Sequence, residues 1–132
     1  MKKLAAGGLF LAATAFGSAA WAGYKSSGQV TINSNTNEAW GSMGYARNSA
    51  DNTQYIGCSL EWTAGGGVIN GRCKARTAAG KELECLIHNA NDWVLGTLGT
   101  ITSDSAIRFR RKIAGTECDV LTVENYSWDQ PK

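Results

Sequence analysis

The chain has 132 residues, with 13 Lys and Arg against 11 Asp and Glu, which gives a formal net charge of +2. A net charge so close to zero gives no long-range attraction to phosphates or anionic lipid headgroups, so the composition argues against nucleic acid as a partner. The four cysteines and 16 glycines are typical of a small, turn-rich, disulfide-bonded protein.

Residues 1–22 have the pattern of a secretory signal peptide. A pair of lysines precedes an apolar stretch from Leu4 to Phe16, and an A-x-A cleavage site ends at Ala22. The apolar stretch is shorter than the roughly 20 residues that a membrane-spanning helix needs. We expect cleavage after Ala22, which leaves residues 23–132 as a single β domain with no membrane span, exported to the periplasm or the exterior of a bacterium.

The charge balance changes when the predicted leader is removed. Lys2 and Lys3 go with it, so the Lys and Arg count falls from 13 to 11 and equals the 11 Asp and Glu. The exported domain is therefore formally neutral, and any cationic patch on it must be local.

Short segments with alternating apolar residues predict β-strands after the leader. Six such segments are separated by pieces rich in Gly, Asn and Ser: GQVTINSN, QYIGCSLEW, VINGRCKAR, KELECLIH, SAIRFRRK and ECDVLTVEN, with EAWGSMGYAR as a seventh. They predict an all-β fold, a small antiparallel β-sandwich or barrel. The exception is one short helical turn near residues 90–98, which Asn91 can cap and which contains Trp93 and Leu98.

Two hairpins have a register that the sequence suggests. A turn at TAAGK with Cys73 opposite Cys85 sets charge against charge and core against core, at the pairs Lys74–Glu84, Arg76–Glu82 and Ala75–Leu83. A turn centred on Gly65 and Gly66 likewise opposes Cys58 to Cys73. We therefore interpret the stretch from Gly71 to Cys85 as a self-neutralising hairpin face and not as a cationic recognition site.

The four cysteines predict two disulfides. We favour Cys58–Cys73 with Cys85–Cys118, because that pairing ties the C-terminal strand to the middle of the sheet, while Cys73–Cys85 with Cys58–Cys118 remains open. No cysteine pair has C-x-x-C spacing, and His88 lies outside any histidine pattern that binds metal. We expect neither a metal site nor a cofactor.

The sequence shows no arrangement typical of an enzyme. His88 falls on the outward parity of its strand, WGSMG lacks the first glycine of a G-x-S-x-G nucleophile elbow, and the carboxylates are scattered. We expect no catalytic residues.

Aromatic residues among Asn, Ser and Gly are the candidate ligand-binding residues, because a flat ring beside amides and hydroxyls can stack on a sugar or anchor a protein. The arginines of RFRRK join them if they do not pair with Asp119 and Glu117. The predicted set is Trp40, Tyr45, Tyr55, Arg108, Arg110, Tyr126 and Trp128. Trp62 and Trp93 are instead predicted to serve packing.

These residues predict a secreted, non-catalytic binding module whose ligand is a carbohydrate or a component of the cell envelope. The alternatives are an inhibitor of an extracellular enzyme, with a protein partner, and a small secreted hydrolase whose active site has no recognisable motif.

Overall fold

A computed structural model describes residues 28–63 and 68–126, so the predicted leader lies outside the described residues. The described part has seven strands and two short helices. In chain order they are β1 (Thr31–Asn33), β2 (Glu38–Ser42), α1 (Met43–Arg47), β3 (Tyr55–Thr63), β4 (Val68–Arg76), β5 (Glu82–Ile87), α2 (Asp92–Gly99), β6 (Ala106–Arg111) and β7 (Cys118–Glu124). Neither helix is long and apolar enough to cross a membrane.

The strands form two antiparallel sheets, which confirms the predicted all-β fold. Sheet A has the strand order β1-β2-β6-β7, and sheet B has the order β3-β4-β5. Buried side chains of both sheets form one apolar cluster, in which Phe109 and Ile107 come from sheet A and Ile56 and Leu83 from sheet B. The faces turned away from this cluster are called here the outer faces.

The register of sheet B is the one that the cysteines and charges predict. Cys58 lies opposite Cys73, and Cys73 lies opposite Cys85. Lys74 pairs with Glu84 across the second hairpin, and the two remaining predicted pairs, Arg76–Glu82 and Ala75–Leu83, are present as well.

Both predicted disulfides are present. Cys85–Cys118 joins sheet B to sheet A, while Cys58–Cys73 links two neighbouring strands with a Cα–Cα distance of 4.0 Å. That distance identifies a pair that exchanges no backbone hydrogen bonds, since such pairs lie about 4.5 Å apart and hydrogen-bonded pairs about 5.5 Å apart. The backbone N–H and C=O of Cys58 therefore point away from β4. Two disulfides are compatible with an exported protein.

The helices depend on side-chain caps. Asn91 Oδ1 accepts a hydrogen bond from Val94 N at 3.0 Å and begins α2, as predicted. The segment EAWGSMGYAR was predicted as one strand, and its second half is wrong. Ser42 Oγ accepts from Tyr45 N at 3.3 Å, so β2 ends there and α1 follows.

The loop before β3 is held by one carboxylate. Asp51 Oδ1 accepts from Thr53 N at 2.8 Å and from Gln54 N at 2.9 Å. These bonds, led by that from Gln54, hold the pKa of Asp51 well below its usual range. Buried Gln54 in turn accepts from Val30 N at 3.1 Å, so the loop also fixes the approach to β1.

The packing roles predicted for two tryptophans are wrong. Trp62 is 64% exposed and Trp93 is 65% exposed. Trp62 has the parity of the inner face, next to Leu60, but Leu60 is also exposed there. This end of the β3–β4 hairpin therefore extends past the buried core, and Trp93 lies on the exposed first turn of α2.

Candidate functional site

The predicted ligand-binding residues do not share one surface. Trp40, Arg108 and Arg110 lie on the outer face of sheet A, where Trp40 is opposite Arg108. Tyr55 begins β3 on the outer face of sheet B, on the other side of the core. Tyr45 is in α1 and Tyr126 follows β7, while Trp128 lies outside the described residues.

The arginines on sheet A have carboxylate partners. Arg108 donates through Nε to Glu38 Oε1 at 2.8 Å and through Nη2 to Oε2 at 3.0 Å. Arg110 makes the same two-point contact with Asp119, at 3.0 and 3.1 Å, so neither arginine is unpaired as its place in the predicted ligand-binding set requires. The pKa of each guanidinium is raised, mainly by these hydrogen bonds. Glu38 takes the place of the second predicted partner.

That predicted partner, Glu117, pairs with Lys112 instead. This contact raises the pKa of Lys112 and lowers that of Glu117. Arg108, Arg110 and Lys112 thus each have a carboxylate of their own. Arg111, between them in β6, forms no ion pair with a described residue, and its Nε is buried without a hydrogen-bond partner.

The outer face of sheet B contains a depression of about 420 Å³ above Gly57. A Cβ atom at Gly57 would meet nothing within 4 Å, so the missing side chain opens the space. Tyr55 and Ser59 line it on β3, and Arg72 and Lys74 line it on β4.

A second depression of about 310 Å³ adjoins the first. Ser59 and Arg72 line both, and Glu61, Asn70 and His88 are among the residues lining the second. The two spaces together form a groove across sheet B with Arg72 at its middle. We name it the Arg72 trough.

The cations of the trough are incompletely neutralised. Glu84 lies 3.0 Å from Lys74 Nζ and 4.0 Å from Arg72 Nη1, so one carboxylate serves two cations. Arg76 pairs with Glu82 at 3.6 Å, so the β4–β5 hairpin has three cations against two carboxylates. Glu61 on β3 is a third carboxylate of the same outer face, but it forms no ion pair with a described residue. The Arg72 side chain is 51% exposed and loosely held, so it is available to an anion.

A ring stands at one end of the trough. Tyr55 is 40% exposed, and its hydroxyl donates to Glu82 Oε1 at 3.4 Å. That bond holds the ring edge, while Ser59, Asn70 and His88 supply hydroxyl, amide and imidazole groups along the groove. Among the described residues, no three His, Cys, Asp or Glu side chains are grouped as a metal site would require.

A scan of protein-family models, a search of curated proteins and a search of solved structures find no match to this chain. The site therefore has to be interpreted from its own geometry.

Sequence reasoning found Tyr55 but missed the rest of the trough. It matched the charges of the hairpin in pairs and so treated Arg72 and Lys74 as neutralised. The signal was an imbalance in number, since Arg72, Lys74 and Arg76 face only Glu82 and Glu84.

Proposed function

We propose that this chain is an exported, non-catalytic binding module whose Arg72 trough binds an acidic oligosaccharide. The observation that supports it best is the pair of adjoining depressions on either side of a half-exposed, loosely paired arginine. A guanidinium in that position can take a carboxylate of the ligand in a two-point contact.

The other lining groups suit a sugar. The Tyr55 ring offers a flat apolar surface at one end of the trough, and aromatic rings combine such a surface with a polar edge. The side chains of Ser59, Asn70 and His88 offer hydrogen bonds to hydroxyl groups at the middle and the other end. A shallow, polar groove with one aromatic ring favours a hydroxylated ligand over an apolar one.

The charge of the trough favours an acidic sugar chain over nucleic acid. The β4–β5 hairpin has three cations against two carboxylates, and Glu61 on β3 brings the outer face of sheet B to three charges of each sign. A phosphate backbone presents a charge about every 1.7 Å of duplex and is bound by many cations at once. One loosely paired arginine fits an acidic sugar unit among neutral contacts.

Titration with oligogalacturonate, against its methyl ester as a neutral control, tests the proposal. We expect the acid to bind and the ester to bind at least about tenfold more weakly, because a charged hydrogen bond contributes about 1.5–3 kcal/mol. Arg72→Gln should lose a similar factor, and Tyr55→Ala should lose several-fold. Calorimetry or chemical-shift changes measure the affinity of the protein and of each variant for the acid and for the ester.

Variants on sheet A provide the controls. Arg108→Gln and Trp40→Ala alter residues from the sequence-predicted set that lie on the opposite outer face, so we expect unchanged affinity. Equal binding of acid and ester, or weaker binding in these variants but not in Arg72→Gln, would contradict the proposal. Shortening of the oligomer during the titration would favour the hydrolase alternative.

A further inference from the structure

Strand β3 is a long edge strand of sheet B, and α1 contacts it. It pairs with β4 through nine consecutive residue pairs without a bulge. Natural edge strands are shielded by lysine, proline, a bulge or a short length, and β3 contains none of these; its one charged residue is Glu61. By contrast, the edge strand β1 of sheet A has only 3 residues, and Leu86 N on the far edge of sheet B donates to Thr116 O at 2.8 Å.

The free backbone groups of this edge can be assigned. Since the Cys58–Cys73 pair is not hydrogen-bonded, the N–H and C=O of Cys58, Leu60 and Trp62 point away from β4. Ala90 N donates to the C=O of Ile69, the partner of Trp62, which confirms this alternation from the other side of β4. Within the described ranges, these β3 groups have no other backbone partner.

The outer-face side chains of β3 complement a second β3. If two copies pair antiparallel about Ser59, then Cys58 of one lies opposite Leu60 of the other, and these two residues exchange backbone hydrogen bonds. Glu61 then lies opposite Gly57 of the second copy, in a pair that is not hydrogen-bonded and whose side chains are closest.

This pairing brings the unpaired carboxylate of Glu61 to the open space above Gly57 of the second copy. Glu61 makes no ion pair or side-chain hydrogen bond with any described residue, and Gly57 leaves open space on the outer face. Lys74 lies opposite Gly57 on β4, so the incoming Glu61 would meet a cation that shares its own carboxylate with Arg72. The two-fold symmetry creates this contact twice.

We propose that two copies of this chain associate through β3 to form a continuous six-stranded sheet, with Glu61 of each copy above Gly57 of the other. The proposal does not depend on the oligosaccharide proposed above, and its test uses no ligand. It does have a consequence for that ligand: Glu61 of the second copy and an acidic sugar would compete for the same depression.

Sedimentation of the processed protein over about a hundredfold range of concentration is the first test, because a weak dimer follows mass action. We expect a monomer–dimer equilibrium. Glu61→Lys should weaken it about tenfold or more, since two attractive charge pairs become repulsive. The matched control is Glu124→Lys on sheet A, which should leave the equilibrium unchanged. A monomer at every concentration, or equal effects of the two variants, would overturn the proposal.

Cross-linking tests the register. In the proposed dimer Ser59 faces its own copy in a pair that is not hydrogen-bonded, the geometry that already holds the disulfide Cys58–Cys73. Ser59→Cys should form a disulfide-linked dimer under mild oxidation, whereas Ser103→Cys, at another exposed serine, should not. Peptide mapping must show both native disulfides intact. Linkage of both variants, or of neither, would rule out this register.

Discussion

The outer faces of the two sheets have similar charged residues and differ in how these are paired. On sheet A, Arg108 and Arg110 each make a two-point contact with one carboxylate. On sheet B, Glu84 is shared by Lys74 and Arg72. Arg108 and Arg110 are each held by a carboxylate of their own, whereas Arg72 has only a share of Glu84, at 4.0 Å, and can therefore take a carboxylate from a ligand.

Side-chain volume reinforces this difference. On sheet A, the position opposite Arg108 is filled by Trp40, whereas on sheet B the position opposite Lys74 is Gly57. The space above Gly57 is open because the strand has no side chain there to fill it. On sheet B this missing side chain lies beside a loosely paired guanidinium, and sheet A has no such combination at Arg108.

Among the variants that compare the two sheets, the largest effect should come from removing the disulfide that joins them. Replacing Cys85 and Cys118 by alanine removes a link between residues 33 apart in sequence, and the Cys58–Cys73 link spans 15. The loss of unfolding free energy should be about 4 kcal/mol for the first and about 3 kcal/mol for the second. Urea unfolding of both double variants measures the two losses of unfolding free energy. A larger loss for Cys58–Cys73, within sheet B, would contradict the expectation that the disulfide between the sheets stabilises the fold more.

A matched pair of carboxylate variants tests the two outer faces. Asp119→Asn should lower the Tm by a few degrees, because it removes the carboxylate with which Arg110 makes its two-point contact. Glu84→Gln should change the Tm less and should strengthen oligogalacturonate binding several-fold, because it frees Arg72 and Lys74. Thermal unfolding gives the Tm of each variant, and the ligand titration gives its affinity for oligogalacturonate. Stronger binding in Asp119→Asn would place the binding face on sheet A and contradict the proposal.

Acid should destabilise the protein through carboxyls whose pKa is lowered in the folded state. Hydrogen bonds lower the pKa of Asp51, chiefly from Gln54 N, and that of Asp119, chiefly from Arg110. The folded protein therefore binds these protons more weakly than the unfolded chain does, so their stabilisation is full above about pH 5 and is lost as the pH falls below about 4. The fall in Tm between about pH 6 and about pH 3 should be smaller in Asp51→Asn than in wild type. An unchanged fall would contradict this origin.

The smallest effect should follow a change at a large aromatic residue. Trp62→Ser should change the unfolding free energy by no more than about 0.5 kcal/mol, because the side chain is 64% exposed. Phe109→Ala, on the buried face of sheet A, is the contrast and should cost about 3–5 kcal/mol. Urea unfolding at low protein concentration compares them, and a loss above about 2 kcal/mol for Trp62→Ser would mean that the hairpin end is packed.

Local chemistry explains why much of the fold was predictable. The register of both hairpins follows from cysteine parity and from charges that match in pairs, such as Lys74 with Glu84. The cap at Asn91 is a contact over three residues. The cap at Ser42 has the same form, but the alternating pattern around it favoured a strand.

Features that depend on distant parts of the chain were not predictable. Glu38 and Arg108 are 70 residues apart and meet only because β2 pairs with β6. Trp62 has core parity, but no sequence pattern shows where the opposite sheet ends. The trough required both the register of β3 against β4 and the open space at Gly57, and only the first can be inferred from residue parity.

The row of three cysteines across sheet B has a consequence for biosynthesis. Cys73 has a potential partner on each side, but its pair with Cys85 is the wider, hydrogen-bonded type, so the ladder geometry favours Cys58. Until β7 brings Cys118 into place, Cys85 is a free thiol next to the Cys58–Cys73 disulfide. Its thiolate can attack Cys73 by thiol–disulfide exchange and release Cys58. Formation of the native pairs therefore depends on Cys118 reaching Cys85 before this exchange, or on a second exchange that returns Cys73 to Cys58.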